Sequence, residues 1–332
     1  MKKKLVSNHY IQATISGALK AGFSAEALLI QAAIPLELRN KPRARITEVQ
    51  LANLIRSVWS KTGDEFMGLT ANPCHLGVFE LMAESVLQAK TLGGMLHQSA
   101  RFYNRVQNDI EFAINQHNDS VDFTLTLRDP KHDPDHLFQE FLLLMWQRFS
   151  CWLVNEKIAF LHTRFNYPEP AHIDEYPPMF GGQLLFEQPT SGFTLHSKLL
   201  NLPIVRDQNE LSTFLLQSPL EILRRVGQDS SLHSQVRRLL FKQGLEHLPT
   251  LEQIADSMHM TARTLRRKLK DEGVSYQQIK DRLRCDTAIR LLTEESLSIA
   301  DISLLIGFTE QAAFCRAFKN WTGVAPSVYS TH

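Results

Sequence analysis

Residues Leu251–Tyr329 read LEQIADSMHMTARTLRRKLKDEGVSYQQIKDRLRCDTAIRLLTEESLSIADISLLIGFTEQAAFCRAFKNWTGVAPSVY. Thr250, just before this stretch, is placed to cap a helix, with Gln253 three residues on to close a capping box. Leu251, Ile254, Ala255 and Met258 recur at i, i+3, i+4 and i+7, one face of a short helix. After a brief turn, Thr261 can cap a second helix on which Leu265 and Leu269 face inward. Arg263, Arg266, Arg267, Lys268 and Lys270 make most of its remaining surface cationic, and Gly273 supplies a stop.

The plan then repeats. Ser298 caps a helix bearing Ile299, Ile302 and Ile306, ended by Gly307. Thr309 is placed to cap the next, with Phe314 and Phe318 inward and Gln311, Cys315, Arg316 and Lys319 on its flanks; Gly323 and Pro326 terminate it. A short helix, a tight turn and a second helix with polar and basic residues exposed is the arrangement that lays a helix in the DNA major groove. Between the units, Tyr276, Ile279, Leu283, Thr287 and Leu291 mark one amphipathic helix over residues 275–293. At 1.5 Å per residue it is a rod of roughly 28 Å. Two reading heads on one face of a duplex sit about 34 Å apart, so a rod of this order can hold both over successive major grooves. The alternative is a helical bundle with solvated charged faces, which a lone basic run usually means. Here the run lies on the second helix of a capped pair, and the pair recurs.

The stretch closely resembles the DNA-binding domain of the AraC/XylS family. The resemblance rests on IADSMHMTARTLRRKL (254–269), IADISLLIGF (299–308) and FCRAFKNWTGVAPSVY (314–329), and covers about the last hundred residues. It implies base readers at Arg263, Arg266 and Arg267 on the first recognition helix, and at Glu310, Gln311, Cys315 and Arg316 on the second. Lys268 lies on the same basic face, and Thr264 and Lys319 correspond to phosphate contacts. Two positions depart from the family pattern. Ser330 follows Tyr329 where Arg is usual, and Ser303 stands where a small apolar residue is commoner.

With 332 residues the chain is long enough for two domains. Its hydrophobic content of 43% and charged content of 21% are ordinary for a globular protein. A net charge of +1 argues against a histone-like coat and leaves room for a local reader. Cys74, Cys151, Cys285 and Cys315 are far apart, with no C-x-x-C pair, and read as reduced thiols of a cytoplasmic protein. Polar residues interrupt the basic start too early for a signal peptide. The most apolar run, FLLLMWQRFSCWLV (141–154), contains Gln147 and Arg148 and reads as a buried helix, so no membrane is expected as a partner.

The first hundred residues follow a helical period. Ser24 caps one helix, Thr47 caps another carrying Leu51, Leu54, Ile55 and Val58, and Thr91 opens one with Leu92, Met95, Leu96 and Phe102 inward. Residues 109–115 and 121–127 then alternate as a hairpin with a five-residue loop. A helix over about 135–155 follows, then a strand over 158–165, a short helix over 171–179, and short strands at 184–186 and 192–195. Residues 211–223 continue as a helix past Ser218 and Pro219. The expected fold is an α+β N-terminal regulatory domain, helices plus a small antiparallel sheet, followed by an all-α domain with two helix-turn-helix units. The boundaries are 1–215 for the first domain, 216–231 for a linker centred on Gly227–Ser231, and 232–332 for the second. LGVFELMAESVLQAKTLGGMLHQSARFYNRV (76–106) and FEQPTSGFTLHSKLLNLPIVRDQNELSTFL (186–215) resemble the arabinose-binding-like regulatory domain of one branch of the family.

Residues for chemistry are scarce. The sequence has no G-x-S-x-G, Walker A or H-E-x-x-H segment. His132, Asp133, Asp135 and His136 cluster, but in a Pro-containing loop entering a helix, where a solvated capping loop is expected. No metal or cofactor is assigned. Arg101, Tyr103 and Arg105 are candidates for an anionic effector, with surface pairing the plainer use. Residues 79–105 and the helix with Met145, Trp146 and Trp152 offer aromatic and Met-rich faces that could line a pocket, with core packing the plainer use for most of them. No effector site is assigned. The family resemblance implies a cytoplasmic transcription regulator, expected to be an activator, with double-stranded DNA, a small-molecule effector, RNA polymerase and a second copy of itself as partners. Two alternatives are a DNA-tethered alkyl-transfer enzyme built on Pro73-Cys74-His75, and an effector-independent architectural DNA binder.

Overall fold

A computed structural model describes residues 5–223, 232–242, 244–246, 248–294 and 297–330. They form two compact units. The N-terminal unit takes residues 9–34 and 48–223. The other takes residues 5–8, 35–47 and the described residues from 232 onward.

Strands β1 (Leu5–Ser7) and β2 (Arg45–Thr47) pair antiparallel and belong to the second unit. The N-terminal unit begins with α1 (His9–Lys20), α2 (Ala25–Gln31), α3 (Glu48–Thr62), α4 (Val78–Val86) and α5 (Leu92–Val106). Ser24 caps α2 and Thr91 caps α5, each hydroxyl accepting a backbone N–H of the first turn. Leu51, Leu54, Ile55 and Val58 are buried on α3, as their spacing predicts. On α5 the buried ring is Tyr103 rather than Phe102, which is half-buried.

Next come β3 (Ile110–Gln116), β4 (Ser120–Leu127), α6 (Leu137–Val154), β5 (Phe160–Arg164), α7 (Tyr176–Met179), β6 (Gln183–Leu185) and β7 (Ser191–His196). The sheet order is β3-β4-β7-β5-β6. The hairpin closes further than expected, because Gln116 still pairs with Val121. The sheet is not wholly antiparallel. β6 runs parallel to β5, since the segment through α7 carries the chain back to the same end before β6 begins. α6 packs on β4 and β7 and buries almost its whole circumference, Gln139, Glu140, Gln147 and Arg148 included. Gln147 donates to Thr163 Oγ1 at 2.8 Å and accepts from the Gly181 N–H at 3.0 Å, so this buried amide is satisfied at both ends.

The expected continuous helix over 211–223 is broken. α8 (Gln208–Gln217), opened by an Asp207–Glu210 capping box, stops before Pro219, which has no N–H to continue the ladder, and α9 (Leu220–Leu223) follows. The start of the expected linker is therefore part of this unit. Arg56 donates to the Gln217 and Ser218 carbonyls at 2.9 and 3.0 Å, and Ile222 is buried. Gly227–Ser231, the centre of that linker, lie outside the described residues.

The second unit continues with α10 (Leu232–Lys242), α11 (Leu251–Ser257), α12 (Ala262–Asp271), α13 (Tyr276–Glu294), α14 (Ile299–Leu305) and α15 (Gln311–Thr322). The strand pair is fastened to these helices. The Arg45 backbone N–H donates to the buried Tyr329 hydroxyl at 3.0 Å. The Asp286 carboxylate meets Arg237 at 2.6 Å and Arg45 at 3.8 Å. The two N-terminal segments are thus built into the unit that carries the helix-turn-helix pairs.

Candidate nucleic-acid interface

The first helix-turn-helix forms as the capping residues dictate. Thr250 and Gln253 complete a reciprocal capping box on α11, and Thr261 accepts from the Thr264 N–H at 3.2 Å to start α12. Leu265 and Leu269 are buried beneath α12. Arg263, Arg266, Arg267, Lys268 and Lys270 are all exposed on its other faces. Thr264 is half-buried, with its hydroxyl 2.9 Å from that of Thr261.

The second unit differs at one point. Ser298 caps α14 as expected, but α15 starts after Glu310, not Thr309, and no side chain caps it. Glu310, Gln311, Arg316 and Lys319 are exposed and Cys315 is half-buried, while Phe314 and Phe318 are fully buried. Gly323 ends α15 in the left-handed conformation at φ 81°. Ser303 is buried and donates to the Ala300 carbonyl at 2.8 Å, so its hydroxyl is satisfied within its own helix. α13 spans 19 residues, about 28 Å at 1.5 Å per residue. Its inward face is wider than the apolar spacing alone marks, because Cys285, Ala288 and Ile289 join Ile279, Leu283, Leu291 and Leu292 in the core.

The other candidate residues resolve differently. Tyr103 and Trp146 are core side chains, and Arg101 and Arg105 are exposed. The 132–136 loop does cap α6, but Asp133 is buried rather than solvated. Its carboxylate accepts from the Phe138 and Gln139 N–H groups at 2.9 and 3.1 Å. Burial pushes the Asp133 carboxyl up to about 7, with Glu140 and Asp135 adding to the rise and the two backbone donors opposing it. Between the unfolded carboxylate range near about pH 4 and this value, folding takes up a proton. Stability should therefore fall as pH rises through that window. Asp133→Asn, which keeps a carbonyl acceptor, should flatten this dependence in melting curves; an unchanged slope would rule the group out.

Cys74 is buried, and its thiol is pushed up to about 12 by burial and by Glu65. A nucleophilic cysteine needs the opposite shift, so this environment does not favour Cys74 as an alkyl acceptor.

The periodicity of the N-terminal unit did not disclose a buried polar node. Glu140 on α6 is fully buried. It accepts from the Tyr10 hydroxyl at 2.8 Å and the Tyr176 hydroxyl at 2.6 Å, and lies 2.9 Å from His172 Nε2. The His9 ring stacks on His172 with centroids 3.7 Å apart. The contributing elements are far apart in sequence, and the acid sits in a mostly apolar helix beside other buried polar residues, so no local pattern marks it.

Two helix-turn-helix units on a connecting helix, behind a mixed helix-and-sheet domain, define a two-domain DNA-binding transcription regulator. The family profile described as the arabinose-binding domain of AraC transcription regulators, N-terminal, matches residues 22–204, and a helix-turn-helix profile matches residues 254–332. The chain belongs to the AraC family of transcription regulators. It is 28% identical over 327 residues to the ornithine utilization regulator of Pseudomonas aeruginosa, covering 98% of this chain and 96% of that protein. It is 30% identical over 168 residues to the regulator VirS of Mycobacterium tuberculosis, covering 47% and 46% of the two chains. Among solved structures, the transcriptional regulator CdpR from Pseudomonas aeruginosa matches 75% of this chain and 81% of its own, at 24% identity and a TM-score of 0.31. Among the described residues no helix is long and apolar enough to cross a membrane.

Proposed function

We propose that this regulator is an activator that reads an operator half-site through α12 and α15 and is controlled by a small-molecule effector held in its N-terminal domain. The observation that carries the reading is the pair of exposed recognition helices, one strongly basic, on either side of the α13 rod. Arg263, Arg266, Arg267, Gln311 and Arg316 read base edges, with Glu310 and Cys315 beside them. Thr264, Lys268 and Lys319 hold phosphates. The effector acts by binding the DNA-competent state more tightly than the other. β1 and β2 run directly into α1 and α3 of the sensing domain, which supplies a covalent route for that signal. A homodimer on two half-sites gains affinity through effective concentration, and RNA polymerase is the downstream partner in the cytoplasm. The full-length similarity to an ornithine utilization regulator makes ornithine the first effector to try.

Selection of bound duplexes from a random library at fixed salt tests the reading. Two short motifs about one helical turn apart are expected; a flat profile both without and with ornithine and mixed metabolite pools would count against it. Given the operator, Arg266→Ala should relax preference at a single base pair by about 1–3 kcal/mol. Lys319→Ala should weaken all sequences alike and lower the salt dependence. If Arg266→Ala instead weakens every operator variant equally, Arg266 is a phosphate contact and not a base reader.

A further inference from the structure

The polar node around Glu140 has the makings of more than a buried ion pair. His9 opens α1, Glu140 lies in the first turn of α6, and His172 immediately precedes the turn Ile173–Glu175. One donor atom from each, all three together, lies within 4.8 Å of the others. Atoms around one ion at about 2.1 Å lie within about 4.2 Å of each other, so the donor atoms are already close to the spacing an ion requires and the rings need chiefly to turn.

The surroundings resemble those of a metal centre. The hydroxyls of Tyr10 and Tyr176 hold the two carboxylate oxygens of Glu140 in place. The His9 ring hydrogen-bonds the Asp135 backbone. Ligating groups are commonly oriented by such outer partners, carboxylates by hydrogen bonds and imidazoles by a backbone carbonyl. A structural carboxylate–imidazole pair needs only Glu140 and His172. The second imidazole, stacked on the first at 3.7 Å, places another nitrogen donor beside it, and the two near-parallel rings would turn toward a common ion on binding.

We propose that His9, Glu140 and His172 bind a divalent first-row transition ion of the zinc class. Two imidazoles and one carboxylate favour such an ion over magnesium or calcium, which take all-oxygen sites. Three protein donors leave a fourth position for water or another ligand. The ion ties α1, α6 and the 172–179 segment together within the sensing domain. The assignment is independent of the effector reading, since it concerns an ion held by the apo-regulator.

The test uses full-length protein stripped with a chelator, then titrated with Zn²⁺ against a chromophoric competitor. One tight site per chain is expected. His9→Ala and His172→Ala should each weaken it by more than the roughly 10–100-fold that outer partners contribute, while the exposed His75→Ala should leave it unchanged. Wild-type binding no tighter than that of scattered surface histidines would overturn the proposal. So would folded His9→Ala and His172→Ala proteins that bind like wild type. Zinc-edge X-ray absorption on the wild-type protein needs no variant to fold. Two imidazoles with oxygen, at about 2.0–2.2 Å, support the site, and a thiolate sulfur at about 2.3 Å refutes it.

Discussion

Glu140→Ala is expected to destabilise the N-terminal domain by about 3–5 kcal/mol, the usual consequence of removing one partner from a buried charged network. The carboxylate is fully buried and receives the Tyr10 and Tyr176 hydroxyls, with His172 at 2.9 Å. Its loss leaves those groups in a cavity without their acceptor, and a buried donor left unmatched costs about 1–3 kcal/mol. Glu140→Gln keeps one carbonyl acceptor and should lose less. Three of the four tryptophans, Trp59, Trp146 and Trp152, lie in this domain, so urea unfolding followed by fluorescence reports it. Equal losses below about 1 kcal/mol for both variants would mean that the node contributes little to stability.

Gly307→Ala is expected to cost the DNA-binding unit about 2–4 kcal/mol, summing a left-handed backbone and an overpacked contact. Gly307 sits at φ 82°, and a Cβ there would fall 2.4 Å from the Leu245 carbonyl oxygen and 2.9 Å from that of Glu246. Both are backbone atoms and cannot swing aside. The turn between α14 and α15 depends on this close approach, so operator affinity should fall with stability. Gly323→Ala is the control, because φ is 81° there with nothing within 4 Å of the added carbon. It carries the conformational term alone, about 1–2 kcal/mol. Calorimetry of the C-terminal transition distinguishes the two, and matching losses would show that the contact with residues 245 and 246 is not what excludes a side chain.

The DNA-binding half was legible because its determinants are local. Thr250, Thr261 and Ser298 cap helices within three residues of themselves, and the buried spacing on α11, α12 and α15 follows from a period of 3.6 residues. The error at Thr309 is of the same local kind: Glu310 takes the cap position without a side-chain bond, and nothing in composition favours that. The hairpin and the burial of α6 were likewise readable from alternation and from an unbroken apolar run.

Local signals therefore carried the class of the protein: two helix-turn-helix units, the length of the rod between them, and the basic surface on α12. Tertiary packing settled the features that depend on residues brought together across long separations. It assigned residues 5–8 and 35–47 to the DNA-binding unit, where Arg45 meets Tyr329 and Asp286. It set β6 parallel to β5. It also gathered His9, Glu140 and His172 around one point. The physical reason is the range of the forces involved. Capping and amphipathic burial act within a turn or two of helix, whereas a buried carboxylate finds its partners only after the apolar surfaces around it have closed.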